Sequence, residues 1–134
     1  MKYRTLGKTG IQVSPYALGT LMLATQVGNP DPEESIRIIH KALDAGINLI
    51  DTSDAYGDSE EVVGRSLQGR RDNVVLATKF SRPMGTDPNQ QGASRRWIIT
   101  AVENSLRACR PTTSTCISCM YRIPKQISPK HSPR

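Results

Sequence analysis

Over its first hundred residues the chain alternates short apolar runs with amphipathic ones. Tyr3 to Val13, with Gly7 and Thr9-Gly10 between short polar-apolar runs, fits a β-hairpin turning on its glycines. Tyr16-Ala17-Leu18-Gly19-Thr20 reads as a first buried strand. Asp31-Pro32-Glu33-Glu34 is a helix start, with Asp31 as N-cap, Pro32 at the first helical position and Glu34 placed for a capping box. Ile36, Ile39, Ala42 and Leu43 follow at helical spacing, and Gly46 stops the helix.

Ile47 to Asp51 is a short apolar run ending in an acid. Ser59-Glu60-Glu61 with Val62, Val63 and Leu67 begins a second helix, closed by Gly69. Asn73 to Lys79 is the clearest strand, and its continuous Val/Leu character predicts burial on both faces. After a loop containing Gly85, Pro88 and Gly92, Ser94 caps a third helix with Trp97, Ala101, Val102 and Leu106 on one stripe.

Strand and helix thus alternate three times, the pattern of parallel βαβ units with right-handed crossovers. The first strand is not followed by Gly-x-Gly-x-x-Gly, which favours a barrel over an open nucleotide-binding sheet. The expected fold is α/β: a partial (β/α)₈ barrel made of an N-terminal hairpin and about three βα units. The 134 residues are roughly half of a usual barrel of about 250.

Composition changes this picture at one place. The net charge of +6 would suggest an acidic partner if spread over one surface. All twelve acidic residues lie in 1–107 against thirteen Lys and Arg, whereas 108–134 holds five basic residues and no acidic one. All three cysteines and four of nine prolines also fall after 107, where the periodicity stops. Residues 1–107 read as globular and 108–134 as a disordered tail. The dispersed Arg110, Arg122, Lys125, Lys130 and Arg134, with only Tyr121 aromatic, argue against nucleic acid or membrane as partner. Cys116-x-x-Cys119 with Cys109 and His131 is a weak zinc pattern, and no metal is expected. The absence of a long apolar run or a signal core points to the cytoplasm.

In parallel α/β proteins functional groups gather at the C-terminal ends of strands. Asp51 ends the second strand and Lys79 the third, and neighbouring strands lie about 4.8 Å apart, close enough for carboxylate and ammonium to meet. Tyr56 follows in the loop after Asp51, beside Gly57. A phenol, with an ordinary pKa near 10, donates protons poorly at neutral pH, and an adjacent ammonium favours its phenolate. Such a set suits carbonyl reduction, where hydride attacks carbon and oxygen needs a proton. Taken singly, the same residues read as a turn or cap aspartate, a solvated lysine and a loop tyrosine.

Gly46-Ile47-Asn48-Leu49-Ile50-Asp51-Thr52-Ser53-Asp54-Ala55-Tyr56-Gly57, followed by Ser59-Glu60 and Val63-Gly64, is similar to the first signature of aldo/keto reductases. Tyr3 to Gly10 with Val13-Ser14 resembles the family's opening hairpin, which plugs the barrel floor, and Leu18-Gly19-Thr20 resembles its first strand. Val75 to Lys79 looks like the strand of the catalytic lysine, and Arg96-Trp97-Ile98 through Val102 to Arg107 like the helix after it. The resemblance covers 1–107. It implies NADPH as cofactor and a small-molecule aldehyde or ketone as substrate, with oligomeric state open. Tyr56 would be the general acid, Lys79 its ammonium partner, and Asp51 the residue pairing with Lys79 near the cofactor ribose. Gly19, Thr20 and Met22 would border the nicotinamide pocket. Ser53 stands where alanine is more usual.

The family continues with a fourth strand, typically Asp-Tyr-Ile-Asp-Leu-Tyr-Gln-x-His, whose histidine orients substrate. Here Ala108 to Met120 is a run of Thr, Ser and Pro, with no strand expected and no histidine before His131. Codons written for Ala108 onward and read two bases later can give Leu-Gln-Thr-Asp-Tyr-Ile-Asp-Leu-Tyr-Gln-Leu-His-Val-Pro-Asp-Pro. This suggests a one-base deletion near codon 108, with the lost histidine near position 120 and the tail out of frame. The expectation is a truncated, inactive reductase; the alternative is a noncatalytic barrel fragment or interaction module that binds no cofactor.

Overall fold

The computed structural model describes residues 1–109 and, as backbone, 115–119. Strands β1 (Arg4–Thr5) and β2 (Gln12–Val13) form an antiparallel hairpin, with Arg4 opposite Val13. Gly7 and Gly10 take the positive φ values its turn requires. The Tyr3 hydroxyl donates to the carbonyl of Gly46, and Ser14 N donates to Asn48 Oδ1 at 2.7 Å. Both acceptors precede the next-but-one strand, so the hairpin lies at the N-terminal end of the sheet.

Four parallel strands make that sheet in the order β3 (Ala17–Gly19), β4 (Leu49–Asp51), β5 (Val75–Phe80) and β6 (Thr115–Cys119). Helices α1 (Pro32–Asp44), α2 (Ser59–Ser66) and α3 (Arg95–Cys109) join them. Asp31 caps α1, its Oδ1 accepting from Glu33 N at 2.9 Å. Glu34 does not close a capping box. Asn29 Oδ1 already accepts from Asp31 N, and Glu34 turns outward to Arg37 at 2.7 Å. At the other end Gly46, with φ of 91°, allows the bonds Gly46 N to Leu43 O and Ile47 N to Ala42 O that finish the helix.

The main core joins Ile50 and Leu76 from the strands to Ile39, Val62, Val63, Leu67 and Cys109 from the helices and their ends. Phe80, Trp97 and Ala101 form a second cluster. Burial of Cys109 pushes its thiol up to about 12, so it behaves as a small core side chain.

Further expectations are corrected. The first strand is not buried: Ala17 and Gly19 are exposed and Leu18 is half-buried, as suits the outer strand of the sheet. Burial along β5 alternates: Leu76, Thr78 and Phe80 face the helices, while Val75, Ala77 and Lys79 lie half-buried on the opposite face. The buried stripe of α3 is Trp97, Ala101, Ser105 and Cys109, with Val102 half-buried and Leu106 exposed. A strict i, i+4 row faces inward where α3 packs on α2 and β5, and Gly64 lets the end of α3 approach α2 at Ala108 and Cys109. Finally, Thr115–Cys119 is a strand parallel to β5, pairing Leu76 with Thr115 through Phe80 with Cys119. Thr and Ile suit a strand, and β5 otherwise offers a row of unpaired backbone groups. The expected disorder of 110–114 and 120–134 lies outside the described residues.

Gly64 allows the close approach of α2 and α3. A Cβ there would lie 2.7 Å from the carbonyl oxygens of Ala108 and Cys109, backbone atoms that cannot swing aside. On an isolated helix, glycine to alanine gains about 1 kcal/mol. Here Gly64→Ala is expected to cost about 1–3 kcal/mol through overpacking, read from urea unfolding midpoints.

Candidate active site

Parallel pairing sets Gly19 beside Asp51 and Asp51 beside Ala77, so the C-terminal ends of β3, β4 and β5 share one edge. Lys79 lies two residues beyond Ala77 and therefore on the same face as Asp51. The two side chains meet diagonally, Lys79 Nζ donating to Asp51 Oδ2 at 2.6 Å. Lys79 is largely buried, at 16% side-chain exposure, and Asp51 is more open at 42%. A charge-assisted bond at this distance holds the ammonium against its desolvation.

Tyr56 joins them. Lys79 Nζ lies 5.2 Å from the centroid of its ring, a cation–π contact. The loop between β4 and α2 is held against the sheet by Thr52 N to Ala77 O at 2.8 Å and Asp54 N to Lys79 O at 3.1 Å. Gly57, with φ of 59°, turns the chain into α2.

Beneath the pair runs a buried hydroxyl chain whose hydrogens can all point one way. Thr52 Oγ1 and Ser59 Oγ are 3.0 Å apart, Ser59 Oγ donates to Thr20 Oγ1 at 2.7 Å, and Thr20 Oγ1 donates to Asp51 O at 3.1 Å. Thr20, expected beside the nicotinamide, is fully buried with its hydroxyl committed to this chain. Gly19 and Met22 are open: nothing lies within 4 Å of a Cβ placed on Gly19, and Met22 is 61% exposed. Thr78 Oγ1 donates to the buried Glu60 at 2.5 Å, joining β5 to α2.

Asp54 was not singled out from the sequence. Its Oδ2 is buried without a partner among the described residues, and desolvation pushes its carboxyl up to about 6, opposed by the Ser53 hydroxyl and raised further by Glu60. Asp54, Glu60, Trp97 and Ala101 border a cavity of about 290 Å³ on the helix side of the sheet, away from Asp51 and Lys79. Among the described residues no group of His, Cys, Asp and Glu could hold a metal, and no helix is long and apolar enough to cross a membrane.

A parallel barrel fragment with lysine, aspartate and tyrosine gathered at the C-terminal strand ends has the architecture of a (β/α)₈ enzyme. The sequence profile of the Aldo/keto reductase family matches residues 15–114. The chain is 43% identical over 112 residues to the aldo-keto reductase YhdN of Bacillus subtilis, covering 80% of this chain and 34% of that protein. An aldo-keto reductase structure from Pseudomonas aeruginosa superposes with a TM-score of 0.75 at 34% identity, covering 87% of this chain and 45% of that one. The holo form of an aldo-keto reductase from Bacillus halodurans gives a TM-score of 0.70 at 35% identity, covering 82% and 37%. The chain belongs to the aldo/keto reductase family, a family of oxidoreductases on the TIM barrel. It spans about a third of the length of the curated relatives it matches.

The Asp54 carboxyl gives a pH-dependent prediction. Its folded value of about 6 lies above its ordinary 3.8, so the folded state binds the proton more tightly and stability falls as pH rises between them. Asp54→Asn removes the buried charge. The variant should melt higher than the parent at about pH 8, with the gain shrinking through about pH 6 and gone below about pH 4, measured by thermal melts across pH.

Proposed function

We propose that residues 1–107 carry the proton-delivery machinery of an NADPH-dependent reductase converting aldehydes or ketones to alcohols, and that this 134-residue chain does not turn over by itself. The observation that carries the first part is the 2.6 Å Lys79–Asp51 bond at adjacent strand ends, with the Tyr56 ring against the same ammonium.

When bound, NADPH supplies the hydride that reduces the carbonyl carbon. Tyr56 gives its phenolic proton to the carbonyl oxygen as negative charge grows there. The Lys79 ammonium stabilises the phenolate left behind, and Asp51 holds Lys79 in place. The residues present fit the cofactor in part. With Oδ2 taken by Lys79, the half-exposed Asp51 keeps Oδ1 as an acceptor for a ribose hydroxyl. Gly19 adds bare backbone where a flat ring can lie close, and Met22 an exposed apolar edge. The choice of NADPH and of small carbonyl compounds follows the family. Inactivity follows from residues 108–120, which carry neither the family's fourth-strand motif nor its histidine.

Titration of NADPH fluorescence with this chain should show weak binding or none, and no oxidation of NADPH with small aldehydes. Tight binding and turnover would overturn the proposed inactivity. In the protein made from a gene with one base restored near codon 108, Tyr56→Phe should lower kcat by about 10²–10⁴-fold, the usual share of a general acid, and leave NADPH binding intact. A Phe variant of parental rate would remove Tyr56 from the role.

A further inference from the structure

Ser53 is fully buried at the start of the loop that carries Tyr56. A buried hydroxyl without work costs stability, so its bonds matter. Its Oγ lies 3.1 Å from the Lys79 carbonyl oxygen and 3.2 Å from Asp54 Oδ1, and it accepts from Ala55 N at 3.2 Å. The Ser53 carbonyl in turn accepts from Tyr56 N at 3.1 Å. One residue therefore touches the backbone of both members of the proton-delivering pair: its side chain reaches Lys79 and its main chain reaches Tyr56.

We propose that Ser53 is a positioning residue, whose hydroxyl ties the loop carrying Tyr56 to the strand carrying Lys79 and so sets the approach of ring to ammonium. The proposal rests on the reading of Tyr56 and Lys79 as that pair. The hydroxyl has one proton and two acceptors. The Lys79 carbonyl also receives Asp54 N at 3.1 Å, so when the Ser53 proton points at Lys79 rather than at Asp54 Oδ1 two successive loop residues converge on one carbonyl oxygen and clamp it. Alanine at 53 keeps both main-chain bonds, Tyr56 N to residue 53 and Asp54 N to Lys79, and removes the hydroxyl with its contacts to the Lys79 carbonyl, Asp54 Oδ1 and Ala55 N. The change therefore loosens the clamp while the main-chain bonds keep the loop attached.

The ring current of Tyr56 makes this measurable in the 134-residue chain without activity. A ring 5.2 Å from Nζ displaces the resonances of the Lys79 ε-methylene protons, and Tyr56→Leu identifies that displacement by abolishing it. Ser53→Ala is expected to reduce the displacement by about half or more, and Ser53→Thr, which retains the hydroxyl, to restore most of it. Ser66→Ala serves as control, since Ser66 is equally buried and its hydroxyl donates only to Val63 O within α2. It should lower the melting temperature comparably and leave the Lys79 resonances in place. Unchanged Lys79 resonances in Ser53→Ala, or an equal loss in Ser66→Ala, would overturn the positioning role. Lys79 resonances that ignore Tyr56→Leu would instead remove the Tyr56–Lys79 contact on which the proposal stands.

Discussion

The register of β4 against β5 is the constraint on which the rest depends. With Asp51 paired to Ala77, alternation puts Lys79 on the same face one diagonal step further along, and the ion pair follows from backbone geometry. A slip of one residue would turn Lys79 into the helix-side core beside Trp97 and Ala101 and present Thr78 or Phe80 to Asp51. Ile50, Leu76 and Phe80 hold that register by burying their side chains under the helices, so the hydrophobic pattern of two short strands decides where a carboxylate and an ammonium meet.

The loop between β4 and α2 adds the third group, and it is held from several sides. Main-chain bonds from Thr52 and Asp54 reach β5, the Thr52–Ser59–Thr20 hydroxyl chain reaches β3 and the Asp51 carbonyl, and Glu60 accepts from Thr78. The apolar core thus sets the strands and a buried polar layer sets the loop. Ser59 and Thr20, linked on both sides within this layer, have few ways to rearrange. Asp54 differs, with one oxygen buried and unpartnered among the described residues, and its raised carboxyl records that cost.

What was legible in the sequence is what local chemistry determines. Asp31-Pro32 begins α1 and Gly46 ends it because cap and turn preferences act within a few residues. Asp51 and Lys79 could be placed together because strand ends of a parallel sheet share an edge. The buried row of α3 was not legible, since packing against α2 and β5, rather than the distribution of apolar residues alone, chooses which side of the helix turns inward. The pairing of Glu34 with Arg37 depended on Asn29 filling the cap first. The strand at Thr115–Cys119 depended on the open edge of β5, which no property of those five residues announces. Ser53 and Asp54 lay in plain sight within the signature, but their bonds to Lys79 exist only once β4 and β5 are side by side.

The coupling of Asp51 to Lys79 is the center of this account, and a double-mutant cycle on kcat/KM in the frame-restored reductase tests it most directly. Asp51→Asn, Lys79→Met and the pair of changes together would be compared for NADPH-dependent reduction of a small aldehyde. If Asp51 works through Lys79, the double variant should be no slower than the worse single variant, within about threefold. Losses that multiply would mean that the two residues act independently, and the 2.6 Å bond between them would not be the basis of catalysis.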